Sequence, residues 1–196
     1  MVDVFRQDGQ SIKKLFLAEK SFSPILKTKR LTLKIGKVGM ASALWQAIKK
    51  DRDLGRHVWE KVHSLEDAKD YIRETSQKNP GPEIIYYLLN KKEELVGSFH
   101  LHTFSYFDHK VELGYWILKS FEGQGLVSEA LLAVENELVK LKFHRAEIRC
   151  NPLNTRSVKF ALRNQYSHEG TLREDTRVEG GFIDTAVYAK ILTTHL

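Results

Sequence analysis

With a single cysteine, Cys150, the chain cannot build an internal disulfide framework, and that scarcity suits a reducing compartment. No apolar run approaches the roughly 18 residues needed to span a bilayer. The stretch from Met1 to Asp8 is too polar for a signal peptide. A cytoplasmic location with no membrane partner is therefore expected. Also missing are an arginine-rich tail, zinc-ligand spacing, internal repeats, low-complexity tracts and any recognisable nucleic-acid module. Direct sequence-specific binding of nucleic acid is accordingly not expected. What is present is a net charge of +6 with a pI near 9.3, which suits an anionic partner such as a polyphosphate cofactor, nucleic acid or the ribosome surface. A length of 196 residues, 42% hydrophobic and 29% charged, is enough for one domain with a real core.

Residues 1–27 read as an N-terminal extension with a short helix over Ile12 to Lys20, broken at Ser23-Pro24, and residues 28–196 as a single domain. Alternation of Leu31, Leu33 and Ile35 predicts a first strand. Leu44, Ala47 and Ile48 give helical spacing to Met40 to Lys50. Ser64, with Asp67 three residues on, caps a second helix that Asn79 to Pro82 stops. Ile84 to Leu89 and Leu95 to Phe104 form a hairpin around Asn90 to Glu94, and Val111 to Leu118 is the next strand. Phe143 to Cys150 is a strand parallel to it, Asn154 to Asn164 a helix, and Phe182 to Leu192 the last strand. The class is mixed α/β, antiparallel first and with a parallel crossover later.

Between the strand ending at Leu118 and the helix that follows lies Ser120 to Gly125, with glycines at 123 and 125. Glycine adopts backbone conformations that other residues resist, so successive N–H groups can converge on an anion at the positive end of the helix. Leu126 or Val127, Ala130, Leu131, Val134, Leu138 and Leu141 repeat at three and four residues, while Glu129, Glu135, Glu137 and Lys140 take other faces. A plain tight connection is the competing reading. A dinucleotide-binding turn is a third, but Ser128 occupies its last glycine position. Although Glu147 falls near the distance of its acidic residue, the glycines come too late in the chain to leave room for a doubly wound domain.

Other residues invite chemistry and are weighed against plainer roles. His100 and His102 share one strand face and could line a pocket, or bind metal with His109, but no Cys, Asp or Glu joins them at a ligand spacing, so no metal is expected. Cys150 and His144 lie on one strand with their side chains apart, which favours a buried, inert thiol. Trp45, Trp116, Tyr86, Tyr87 and Tyr115 read as core.

Taken together, Thr28 to Leu31, Glu112 to Trp116, Glu122 to Gly125, Asn151-Pro152 with Asn154 and Ser157, Ala161 to Asn164 and Glu169 to Leu172 resemble the GNAT acyltransferase superfamily, within it the RimJ/RimL type that acetylates N-termini of ribosomal proteins. Order and spacing match from about Leu26 onward. The segment Lys50 to Trp59 and the following Ser64 to Asp67 look like the serine-type members. The resemblance implies a GNAT fold: a mostly antiparallel twisted sheet with one splayed parallel pair, flanked by about four helices.

It also implies acetyl-CoA as acyl donor, with no metal. Its pyrophosphate would lie on Gly123, Gln124, Gly125, Leu126 and Val127, and its pantetheine arm along Trp116, Ile117 and Leu118. The Ile117 N–H would face the thioester oxygen. Asn154 would meet the pantetheine amides, and Ser157 would donate to the departing thiolate. The tyrosine acid of many relatives is replaced here by Ala161, which leaves Ser157 as the donor. A glutamate base used by serine-type relatives aligns with Thr176, beside Glu174 and Asp175 in a polar loop; Glu112 is the first candidate base. Trp59, between the first two helices, and His102 are candidates for the acceptor side.

The function so implied is acetyl transfer to a primary amine by direct attack in a ternary complex, the acceptor being the N-terminal α-amine of a ribosomal protein. A small amine such as a polyamine, an antibiotic or an amino-acid derivative is the alternative acceptor, and a non-catalytic CoA-binding regulator the alternative class. Assembly as a homodimer is left open.

Overall fold

A computed structural model describes residues 21–51, 62–76 and 83–192. Among these, eight strands and four α-helices alternate: β1 (Ile25–Lys27), β2 (Thr32–Ile35), α1 (Ala41–Lys50), α2 (Leu65–Ser76), β3 (Ile84–Leu89), β4 (Leu95–Ser105), β5 (Lys110–Ile117), α3 (Leu126–Lys140), β6 (Arg145–Cys150), α4 (Thr155–Arg163), β7 (Ser167–Val178) and β8 (Gly181–Ile191). The strand order is β1-β2-β3-β4-β5-β6-β8-β7. β5 and β6 run parallel, and their register covers only Lys110↔Arg145 to Glu112↔Glu147, although β5 continues to Ile117. This is the mixed α/β architecture that the sequence implied.

Two compact units divide the chain. The first comprises the described part of Ser21–His102 with Tyr115–Glu137. Its β3 is buried at every position because both faces are covered. On one face Ile85 and Tyr87 join Leu44 and Ile48 of α1 and Ile72 of α2 in a buried cluster that includes Trp116. Glycine matters at two close approaches: a Cβ on Gly36 would lie 2.7 Å from the Tyr87 ring, and one on Gly97 would lie 2.4 Å from the Trp116 carbonyl oxygen. The Ser64 hydroxyl accepts from Asp67 N–H at 3.0 Å and the Asp67 carboxylate from His63 N–H at 2.8 Å, so the start of α2 is capped as expected.

The periodicity of α3 is borne out by buried Leu126, Ala130, Leu131, Val134 and Leu138. Two of its supposed outer residues, Glu135 and Glu137, are buried instead. For Glu137 the reason is a backbone partner far away in sequence: Ser23 N–H donates to its carboxylate at 2.7 Å, while the Ser23 carbonyl accepts from the Tyr86 hydroxyl at 2.8 Å. Phe22, fully buried, and strand β1 show that ordered packing begins within the stretch read as an extension. The helix expected over Ile12 to Lys20 lies outside the described residues.

The second unit comprises Thr103–Gly114 with the described part of Leu138–Leu196. β6 pairs antiparallel with β8, and β8 with β7. The sequence reading missed β7 because its residues are nearly all exposed and polar, so no alternation marks it. Glu174 and Asp175 thus lie within a strand, at an irregularity between Leu172 and Thr176, and not in a loop. There Glu174 has φ +50° and donates its N–H to Asp184 Oδ1 at 2.9 Å. Cys150 is half-buried rather than buried, and that burial raises its thiol pKa. Among the described residues, no helix is long and apolar enough to cross a membrane.

Candidate functional site

The turn after β5 is built from the chain outward. Lys119–Phe121 forms a short 3-10 turn whose first N–H is held by Asp51 Oδ2 at 2.9 Å, and the Gln124 side chain folds back onto the Ser120 carbonyl at 3.2 Å. Gly123 and Gly125 then adopt φ +72° and +74°, a region that costs a non-glycine residue about 1–3 kcal/mol. Gly123, Gln124 and Gly125 are exposed, and nothing lies within 4 Å of where a Cβ on Gly123 would sit. α3 begins directly afterwards at Leu126, so its first N–H groups have no intrahelical partners.

A cation that sequence reasoning gave no role fastens this turn. Arg30 Nη1 donates to the Gln124 carbonyl at 2.8 Å, and its Nε donates to Glu129 Oε2 at 2.6 Å. Glu129 Oε1 also accepts from Arg30 N–H at 2.7 Å and from the Thr28 hydroxyl at 2.5 Å. Partial burial alone would raise the Glu129 pKa, but the hydrogen bonds from Thr28 and Arg30 and the guanidinium charge outweigh it and hold the carboxyl below its usual range. The Arg30 guanidinium comes within 3.8 Å of where a Cβ on Gly125 would be. Inside the first turn of α3, the Ser128 hydroxyl is buried with no hydrogen-bond partner. Positive-φ glycines, a helix start and an adjacent guanidinium thus lie together at this exposed turn, the kind of setting in which backbone N–H groups can meet an anion. The motif Thr28 to Leu31 was the available signal for Arg30; its partners lie 94 and 99 residues away.

Just after β5, Leu118 N–H donates to the Val96 carbonyl at 2.8 Å and is thereby committed to β4. Alternation along a strand then directs the Ile117 N–H to the opposite edge. Trp116 is buried in the apolar cluster, with Leu118 packed against it. His102 lies on β4 and is half-buried. Trp59 lies outside the described residues.

In the second unit Asn154 caps α4, its side-chain oxygen accepting from Ser157 N–H at 3.2 Å. Ser157 is half-buried in the first turn. Glu112 belongs to a charged row: its Oε2 is 3.8 Å from Arg149 Nε, which is 3.3 Å from Glu147 Oε2. Arg145 joins Glu147 at 2.9 Å and chelates Glu169, whose pKa the Arg145 hydrogen bond lowers. Among the described residues, no group of three His, Cys, Asp or Glu side chains is arranged to hold a metal ion.

Against known proteins, the acetyltransferase (GNAT) domain family matches residues 30–167. A ribosomal-protein-serine acetyltransferase from Escherichia coli (strain K12) is 27% identical over 132 residues, 67% of this chain and 74% of that protein. The fold is shared with the ribosomal L7/L12 α-N-protein acetyltransferase RimL in complex with coenzyme A, at 23% identity and TM-score 0.75, covering 86% of this chain and 98% of RimL. It is shared also with the microcin C7 self-immunity acetyltransferase MccE in complex with acetyl-CoA and AMP, at 20% identity and TM-score 0.77, covering 87% and 98%.

Proposed function

Because this chain belongs to the GNAT acetyltransferase family and is an acetyl-CoA-dependent N-acetyltransferase, we propose that its acceptor is the N-terminal α-amine of a ribosomal protein. The observation that carries the assignment of the donor site is the cradle: Gly123 and Gly125 at positive φ, the start of α3 and Arg30. The acceptor class is supported by the likeness to the Escherichia coli ribosomal-protein-serine acetyltransferase. Action on ribosomal proteins would place it in the cytoplasm.

Acetyl-CoA supplies a thioester, whose acetyl group is activated toward an amine. The backbone N–H groups from Gly123 to Val127 are assigned to its phosphates. The edge of β5 at Trp116 and Ile117 is assigned to the pantetheine arm, with the Ile117 N–H polarising the carbonyl. Leu118 contributes through packing, since its N–H is taken by Val96. In the second unit the Asn154 amide nitrogen suits a pantetheine carbonyl while its oxygen caps α4. Ser157 is assigned to protonate the leaving thiolate and Glu112 to take up the proton of the amine, with Arg149 holding its carboxylate. Trp59 and His102 are assigned to the acceptor side.

The test is acetyl-CoA turnover with peptides beginning in serine or alanine, set against spermidine and free amino acids. Efficient turnover of a serine-first peptide is expected, and Ser157→Ala should lower kcat far more than acetyl-CoA affinity. Preference for a small amine would overturn the acceptor assignment.

A further inference from the structure

Strand β6 turns three charges to one face. Arg145, Glu147 and Arg149 alternate with Ala146 and Ile148, which are buried on the other. Opposite Glu147 on β5 stands Glu112, in the last register pair before the two parallel strands part. Glu169 of β7 completes the row through Arg145, and the whole row lies within the second unit. Its centre is withdrawn from solvent: 12% of the Glu147 side chain is exposed and 19% of Glu112. Three carboxylates thus share two guanidiniums, and one negative charge is left over.

The sharing is uneven. Arg145 is used up, donating through Nε to Glu147 Oε1 at 2.9 Å and through both terminal nitrogens to Glu169. Arg149 Nε donates to Glu147 Oε2 at 3.3 Å and stands 3.8 Å from Glu112 Oε2, too far for a hydrogen bond. Each oxygen of Glu147 therefore has a guanidinium, whereas Glu112 has a partial share of one. The other charged or titratable groups around Glu112 are few. Lys110, two residues away on the same face of β5, lies 3.7 Å from Asp108. On β8 the register partners of Arg145, Glu147 and Arg149 are Ile191, Ala189 and Val187, none of them titratable. On β4, the other neighbour of β5, the titratable side chains are His100 and His102. Two carboxylates set directly opposite each other resist being charged together, and the one with fewer donors takes a proton first.

We propose that Glu147 is a positioning residue that sets how readily Glu112 takes up a proton, an inference that rests on the assignment of Glu112 as the base. By holding Arg149 to itself, Glu147 keeps the guanidinium from closing on Glu112. Glu112 is then anchored by a cation at ion-pair distance without being tied up by it. A carboxylate in a full bidentate pair with arginine accepts a proton poorly, and one stripped of its cation beside a second carboxylate is protonated too early to serve as a base. The row holds Glu112 between these limits. The proton released from the amine nitrogen as it bonds the thioester carbon passes to a Glu112 oxygen, and Glu147, with a guanidinium on each oxygen, does not compete for it.

The test follows the Glu112 side-chain carboxyl by carbon-detected NMR in protein labelled at glutamate, its resonance being the one that Glu112→Gln removes. Glu147→Gln hands Arg149 to Glu112, and the titration midpoint should fall by about one pH unit. Arg149→Gln removes the shared cation, and the midpoint should rise by about one unit. Glu169→Gln, at an exposed position, sends Arg145 back to Glu147 and frees Arg149 in part. A smaller fall is expected there, and this variant takes the place of Glu147→Gln if that one does not fold. Midpoints that stay put, or that move the same way in Glu147→Gln and Arg149→Gln, overturn the inference. The pH profile of kcat on a serine-first peptide tests the reading beneath it, since kcat reports groups in the bound complex. Its acid limb should move with the resonance in each variant and be lost in Glu112→Gln. A resonance that moves as expected beside an acid limb that does not keeps the row and discards Glu112 as the base.

Discussion

Two turns in this molecule carry paired glycines at positive φ, and they do different things. Gly123 and Gly125 stand at +72° and +74° before α3; Gly180 and Gly181, at the turn from β7 into the first residue of β8, stand at +89° and +149°. A Cβ would meet nothing within 4 Å at Gly123, Gly180 or Gly181, so steric room does not separate the two turns. In the hairpin the ladder runs up to the Val178↔Gly181 pair, and the chain simply reverses. In the other turn, the chain enters a helix whose first N–H groups are free, beside Arg30 and the unsatisfied Ser128 hydroxyl. Glycine geometry permits an anion cradle; the helix start and the guanidinium are what favour the one proposed for the first turn.

The sharpest way to break that comparison is Gly125→Val. A β-branched residue at this φ strains the turn by about 1–3 kcal/mol and obstructs the approach of a phosphate, so acetyl-CoA affinity should fall by about thirtyfold or more in calorimetry. Unchanged affinity would reduce the cradle to a connection like the hairpin. Next in size is Arg30→Ala, which deletes the fastening to Gln124 and Glu129. About tenfold weaker acetyl-CoA binding is expected from the loss of a charged contact, with the melting temperature lowered only slightly because Arg30 is 44% exposed. Gly181→Val serves as the control: it should cost about 1–3 kcal/mol of stability in denaturant unfolding and leave acetyl-CoA affinity as it was.

The smallest effect concerns acid. The folded-state pKa of Glu129 lies below its ordinary value, so its stabilising contribution is present above the ordinary carboxylate range and is lost as pH falls through the lowered value. Glu129→Gln should therefore be less stable than wild type near neutral pH. The gap should close on acidification through that window, as read from urea unfolding at a series of pH values. A gap independent of pH would mean that shape, and not charge, holds the turn.

How much of this was legible beforehand depended on how far apart the partners are in sequence. Strand β5, the glycine turn and the buried stripe of α3 were readable because each signal is local. Ser64 with Asp67 and Asn154 with Ser157 were readable for the same reason, since a cap and its N–H lie three residues apart. Glu137 was placed on a polar face because its partner is a backbone N–H 114 residues earlier, which no pattern records. Arg30 sits in a motif of the sequence, but its carboxylate lies 99 residues later, beyond any local pattern. β7 was passed over because hydrophobic alternation is the signal for a strand, and an edge strand exposed along nearly its whole length has no need of it. The link from Glu83 through His100 to Ser98 was half visible: the histidine stands out in the sequence, but only the fold sets its ring between Ser98 and Glu83.

The clasp between Arg30 and Glu129 bears on how the molecule is made. Its two halves leave the ribosome about a hundred residues apart, the guanidinium first. Contacts of such long range raise contact order and are completed late, after the loop-closure entropy has been met by other packing. α3 can therefore wind on its own hydrophobic stripe before the turn between β1 and β2 docks and closes the clasp at its start. A chain shortened from its beginning through Arg30 would keep both glycines and lose the clasp that ties them to the sheet.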